Sequence, residues 1–260
     1  MNKIHSTAII GENCIIGENV SIGAYTVIAD NVKIANNNII FPSVFISGNT
    51  DIGEGNKIFP FCSIGSSPQD LKFKGEKSYL YIGNSNTFRE HCTVNPGTEG
   101  GGLKTKIGNN SLFMTGAHIA HDCTVGNETV FANQATLGGH VIVEDNAILG
   151  GLSAVHQFCR IGCLAMVGGM SAVENDVIPY GLALGNRAKL TGINIVGLRR
   201  SNFRNEEIKE FMKVFSQIFL SNSIESESLM FEDSNNFLVR KMIKFLNGNS
   251  SRGICQYAKK

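Results

Sequence analysis

The chain has 260 residues, 42% of them hydrophobic, and a net charge of +1, a globular composition with enough apolar mass for one sizeable core. Charge so near neutral, with no long basic tract, gives no reason to expect nucleic acid as a partner. No apolar run is long enough to span a bilayer and no leader pattern opens the sequence, so the expectation is a cytoplasmic protein without membrane insertion.

From the first residues, isoleucine recurs every six positions, as Ile4, Ile10, Ile16, Ile22, Ile28, Ile34, Ile40, Ile46, Ile52, Ile58 and Ile64. Neither a helix nor a flat strand has this period. A hexapeptide repeat with one aliphatic per unit predicts a parallel β-helix, in which three units close one triangular coil of 18 residues. Coils then stack at the inter-strand spacing of about 4.8 Å, with the aliphatic column inside. The column resumes as Ile82, Phe88 and Val94, and runs unbroken from Ile107 to Val173. Gly or Ala often follows the aliphatic (Gly11, Gly17, Gly23, Ala29), as expected where a backbone turns a tight corner. The fourth position after it is small, and five of the seven cysteines stand there: Cys14, Cys62, Cys92, Cys123 and Cys159. With no C-x-x-C pair, these read as small buried hydrophobes.

Two excursions interrupt the repeat. Ile64 to Ile82 takes 18 residues and Val94 to Ile107 takes 13, where one step needs 6. Treated as insertions, they put Ile64 and Val94 on one face and Ile82 and Ile107 on the next. Loops 66–81 and 95–106 therefore leave the prism at one corner, on consecutive coils. Binding residues concentrate on loops held by a rigid scaffold, so function is expected there.

Beyond the loops, four of the six histidines, His118, His121, His140 and His156, return to the same region of the coil. They predict a chain of imidazoles climbing one face. Such a cluster serves either a metal ion or general-base catalysis. His118 and His121 stand three apart, a spacing that in a strand points them to opposite sides and weighs against a shared ion. Asp122 is placed to steady a charge on His121, although adjacent strand residues also point apart. The residues alone leave both chemistries open.

The stretches HIAHDCTVG (118–126), ATLGGHV (135–141), AVHQFCRIG (154–162), QDLKF (69–73) and GNRAKLTGINIVGLRR (185–200) resemble the UDP-N-acetylglucosamine O-acyltransferase family, whose members begin lipid A synthesis. The resemblance covers essentially the whole chain. It implies a mainly β fold: a left-handed parallel β-helix of hexapeptide repeats over 1–186, followed by a C-terminal α-helical domain over 187–260. The handedness comes from the resemblance, being an exception to the right-handed crossover rule. The implied reaction moves an (R)-3-hydroxyacyl chain from an acyl carrier protein thioester to the glucosamine 3-hydroxyl of UDP-N-acetylglucosamine. A homotrimer is implied, with neither cofactor nor metal. Carried over by residue, His121 is the general base, Asp122 tunes it, and the Gly139 N–H donates to the oxyanion. Asp70, Leu71 and Lys72 hold the nucleotide sugar, His118, His140, His156 and Gln157 line the same cleft, and Asn194 and Arg200 lie near the nucleotide phosphates. Gly168, Gly169 and Met170 match the acyl-chain groove. Val196 and Ser201 depart from the pattern, standing where relatives carry charged residues.

The last third changes period. From Asn205 the stripe Ile208, Phe211, Met212, Phe215, Ile218 and Phe219 predicts an amphipathic helix opened by Glu206 and Glu207. A second cluster, Phe237, Leu238, Met242, Phe245 and Leu246, predicts another that closes at Asn247-Gly248. Lys209, Lys213, Arg240, Lys241, Lys244, Lys259 and Lys260 read first as a solvated helix surface; the sharper reading is a dock for an acidic carrier protein. Three rivals share the repeats: the later N-acyltransferase of the same pathway, which normally carries a domain before them, a zinc-dependent hydratase, and a non-catalytic scaffold.

Overall fold

The computed structural model describes residues 1–221 and 223–258. Each hexapeptide contributes a short strand that ends on its column aliphatic, and strand alternation turns that residue inward and its predecessor outward. Successive coils pair in parallel, Lys3 with Ser21 and Ile4 with Ile22. The excursions do not disturb this register: Ile64 pairs with Val94, and Ile82 with Ile107. Among the described residues the strands form three sheets, of 11, 9 and 8 strands, which are the walls of a triangular prism. The first wall carries the Ile4 column, the second Ile10 and the third Ile16. This is the expected left-handed β-helix, with a helical region after it.

From Ile22 to Val173 the column residues are at most 4% exposed, whereas Ile4, with no coil beneath it, is 44% exposed. Burying each of these side chains is worth about 1.5–3 kcal/mol. Phenylalanines stack inside the prism, Phe88 on Phe113 with centroids 4.6 Å apart and Phe113 near Phe131 at 5.0 Å. Cys62, Cys92, Cys123 and Cys159 are buried free thiols, as expected.

The corners revise one expectation. Glycine after the aliphatic is not there to adopt a left-handed conformation. That burden falls two residues later, on Asn13 (φ 56°), Asn19 (54°), Asn31 (64°) and Asn37 (61°), residues that tolerate it. Glycine recurs because coils approach closely: a Cβ on Gly11 would lie 2.7 Å from the Asp30 nitrogen, and one on Gly17 2.9 Å from that of Asn36.

The prism ends in an antiparallel hairpin, Gly181–Leu184 with Lys189–Ile193. Four helices follow: α1 (Ile195–Arg200), α2 (Asn205–Leu220), α3 (Ile224–Leu229) and α4 (Phe237–Leu246). α2 and α4 match the predicted stripes, but Met212 is 38% and Phe237 54% exposed, while Val214, Val239 and Ile243 are buried in their place. The short α1 and α3 were not anticipated. The tail closes the last coils. Tyr180 meets Phe211 edge-on at 5.3 Å, and Arg160 reaches Asp176 at 2.6 Å beneath the Phe245 ring. Lys259 and Lys260 lie outside the described residues, among which no helix is long and apolar enough to cross a membrane.

Candidate active site

Both excursions leave at the corner between the second and third walls, as the repeat count requires. His121 and Asp122 stand at that corner one coil further on, in the turn after the strand His118–Ile119. They are not the divergent strand neighbours expected. Asp122 is left-handed (φ 59°), which swings its carboxylate back beside the preceding side chain. Its Oδ2 lies 2.8 Å from His121 Nδ1, with the Asp122 side chain fully buried and that of His121 7% exposed. An Nδ1–H donated to the carboxylate leaves Nε2 as the free acceptor.

The register places Asp122, His140 and Phe158 in one column, 18 residues apart. His140 meets His121 edge-on at 5.1 Å, and its Nε2 is 3.9 Å from Asp122 Oδ2. The predicted imidazole ladder is therefore corrected at its third rung. His156 stands above Gly138, exposed, with Nδ1 3.4 Å from the Gln157 carbonyl, and Phe158 takes the place expected for it. Phe158 was missed although His140 plus 18 points to it. Gly139 packs on the base: a Cβ there would lie 2.4 Å from His121 Cε1. Its buried N–H has no acceptor among the described residues.

His118 lies on the outward face of the second wall, its Nδ1 2.7 Å from Thr93 Oγ1. Burial holds its pKa below the ordinary 6.5, and the neighbouring His121 adds to this. Burial likewise lowers the pKa of His140, outweighing the attraction of Asp122.

The first loop brings Asp70 Oδ2 to 4.0 Å from His121 Nε2. Asp70 Oδ1 accepts the Lys72 N–H at 2.9 Å, a local turn that leaves Leu71 and Lys72 exposed. Asp70, Leu71, Lys72, Thr98, His140 and Phe158 line part of a groove of about 670 Å³. Other expected residues are not brought there within one chain. Asn194 and Arg200 line a separate groove of about 550 Å³ over the first wall, with Val196 and Ser201. Asn194 caps α1, accepting the Gly197 N–H and donating to the Leu164 carbonyl, both at 2.9 Å. Gly168, Gly169 and Met170 turn the corner between the first and second walls, across the second wall from His121. Gln157 is exposed beside Phe158, with its carbonyl accepting from Arg252 at 2.7 Å.

His121, Asp122 and His140 offer ligand atoms that lie within 4.8 Å of one another. The Asp122 oxygens, however, already accept from the Thr98 N–H, the Thr98 hydroxyl and His121 Nδ1. That is the wiring of a histidine–carboxylate pair for moving protons.

Residues 176–255 match the family described as UDP-N-acetylglucosamine O-acyltransferase, domain 2, and residues 13–48 and 104–139 match the bacterial transferase hexapeptide (six repeats). An acyl-[acyl-carrier-protein]–UDP-N-acetylglucosamine O-acyltransferase of Aliarcobacter butzleri is 47% identical over 98% of both chains. One from Rickettsia canadensis is 45% identical over 99% of both. The chain belongs to this O-acyltransferase family. A crystal structure of a UDP-N-acetylglucosamine acyltransferase superposes with a TM-score of 0.95 at 39% identity, covering 99% of this chain and 100% of that one. The UDP-N-acetylglucosamine acyltransferase from Campylobacter jejuni gives 0.93 at 37% identity, over 98% and 100%. Membership in the O-acyltransferase family separates the chain from the N-acyltransferase, the hydratase and the scaffold that share its repeats.

Proposed function

We propose that this acyltransferase moves an (R)-3-hydroxyacyl chain from an acyl carrier protein to the glucosamine 3-hydroxyl of UDP-N-acetylglucosamine, the first step of lipid A synthesis, with His121 as general base. The observation that carries the reading is the His121 Nδ1 to Asp122 contact of 2.8 Å, which leaves Nε2 available beside the unpaired Gly139 N–H. Nε2 takes the hydroxyl proton as the sugar oxygen attacks the thioester carbon. Asp122 on one side and Asp70 on the other balance the imidazolium that forms. The carbonyl oxygen becomes an oxyanion and accepts from Gly139, a preorganised donor typically worth about 3–4 kcal/mol. The C–S bond then breaks, and the leaving thiolate takes the proton from Nε2.

The working unit is a homotrimer in the cytoplasm. In one chain the groove beside His121 lacks Asn194, Arg200 and the Gly168–Met170 corner, all of which lie on other walls of the prism. A second copy against the second wall supplies them, and closed threefold symmetry completes three equal sites. The test is incubation of purified protein with UDP-N-acetylglucosamine and 3-hydroxyacyl carrier proteins of several chain lengths. A 3-O-acylated sugar nucleotide and one free carrier thiol per turnover are expected. The His121→Ala variant should turn over about 10²–10⁴-fold more slowly. Absence of acylated sugar with every chain length, or a full rate for His121→Ala, overturns the reading.

A further inference from the structure

Loop 95–106 supplies none of the substrate-binding residues expected from the sequence, yet it is tied closely to the corner that holds His121. We propose that this second excursion is a cradle for Asp122, with Thr98 as its positioning residue; the inference rests on the reading of His121 as the base. The Thr98 N–H donates to Asp122 Oδ1 at 2.9 Å, and the Thr98 hydroxyl donates to Oδ2 at 2.6 Å. Oδ2 is also the oxygen that faces His121 Nδ1. From the other end of the loop, Thr105 Oγ1 accepts the Asp122 N–H at 2.8 Å. Thr98 is 4% and Thr105 0% exposed, so these bonds are made away from water, where each counts for more.

Gly101 closes the remaining side. A Cβ at that position would stand 1.9 Å from Asp122 Cγ, so the loop backbone lies directly against the carboxylate. The loop is itself held in shape, because the Thr98 carbonyl accepts the N–H groups of Gly101 at 3.1 Å and Leu103 at 2.8 Å. The first loop joins in through Glu76, which accepts the Glu99 N–H at 3.1 Å and the Lys74 N–H at 2.8 Å. Two donors from one residue fix the rotation of the Asp122 carboxyl. With Oδ2 fixed, the imidazole keeps its proton on Nδ1 and its lone pair on Nε2. The two excursions thus divide the work: the first carries groups toward the substrate groove, and the second aims the carboxylate behind the base.

The test uses the full-length protein and three substitutions. Thr98→Val keeps the volume and the backbone donor but removes the hydroxyl, whereas Thr98→Ser keeps the hydroxyl. Thr98→Val should lower kcat by about 10- to 100-fold, the worth of one hydrogen bond to a charged group, with KM for both substrates nearly unchanged. Its acid limb in the kcat/KM profile should move to higher pH, because Asp122 with one donor fewer grips the imidazolium harder. Thr98→Ser should restore most of kcat and the wild-type profile. Gly101→Ala, which pushes a methyl group into Asp122, should lower kcat in the same way and keeps the proposal testable if Thr98→Val does not fold. Wild-type kcat and pH profile in Thr98→Val, equal losses in Thr98→Val and Thr98→Ser, or an unaffected Gly101→Ala overturns the cradle. His121→Ala in the same assay separates the two readings: an active His121→Ala removes the base, whereas an inactive one beside a fully active Thr98→Val removes only the cradle.

Discussion

The imidazole of His140 lies flat on the ring of Phe158, with centroids 4.4 Å apart and planes inclined by 7°. Its other side meets the edge of His121, so His140 is clamped between the base and an aromatic plate. Pairs of this kind are worth about 0.5–1.5 kcal/mol beyond the area they bury. The stack follows from the coil period, since residues 18 apart must sit one above the other, and it makes one wall of the groove stiff where the acceptor sugar has to be aimed.

Gly139→Ala tests how closely that stack is fitted. The substitution keeps the backbone N–H but places a methyl carbon 2.4 Å from His121 Cε1, so the imidazole must move. A displacement of about 1 Å from productive geometry costs about 10²-fold in rate. We expect kcat to fall by about that factor while the circular dichroism spectrum is retained. Wild-type kcat would show that the imidazole has room to spare.

The walls were legible in the sequence because the repeat is rigid: one aliphatic every six residues fixes strand, face and register together, and Ile64 pairing with Val94 follows from the count alone. The corners were less legible. At Asp122 the backbone turns left-handed, and strand logic, which sends adjacent side chains apart, fails there. Phe158 was overlooked because histidines, not positions 18 apart, were used to trace the column. The role of loop 95–106 could not be read at all, since the bonds from Thr98 to Asp122 span 24 residues with no periodic signal.

Lys72→Ala should separate binding from chemistry. Lys72 is exposed at the rim of the groove, whereas its neighbour Asp70 reaches toward His121. Loss of the ammonium should raise KM for UDP-N-acetylglucosamine by about tenfold and leave kcat within about twofold. A pure kcat loss would place Lys72 in the transition state.

Acid should weaken the fold through the histidines of this corner. His118 and His140 both have pKa values lowered by burial from the ordinary 6.5. Below that value the unfolded chain binds more protons than the folded one. The stabilising contribution is therefore complete above pH 6.5 and is lost as pH falls through the lower folded values. Tm should drop between pH 7 and about 5, and His118→Gln should flatten part of that slope. A slope identical in His118→Gln and the wild type would assign the acid sensitivity to other groups.

The threefold arrangement makes a prediction about mixed assemblies. Asp70 lies 4.0 Å from His121 in the same chain, so a His121→Ala chain and a chain altered at Asp70 and Lys72 damage the same half of the site. Mixing those two should restore little activity, although two separated loops would suggest otherwise from sequence. Arg200 stands on the first wall, in a groove that shares no residue with the one beside His121. If a neighbour's first wall faces the base, His121→Ala and Arg200→Ala chains damage opposite halves, and some sites in a mixed trimer receive both intact halves. Random assembly of equal amounts makes that fraction about one quarter. Co-expression with two affinity tags, followed by tandem purification, should yield activity well above that of either parent. Activity no higher than the parents', or an active species at the monomer mass of 28.1 kDa, would place the whole site within one chain.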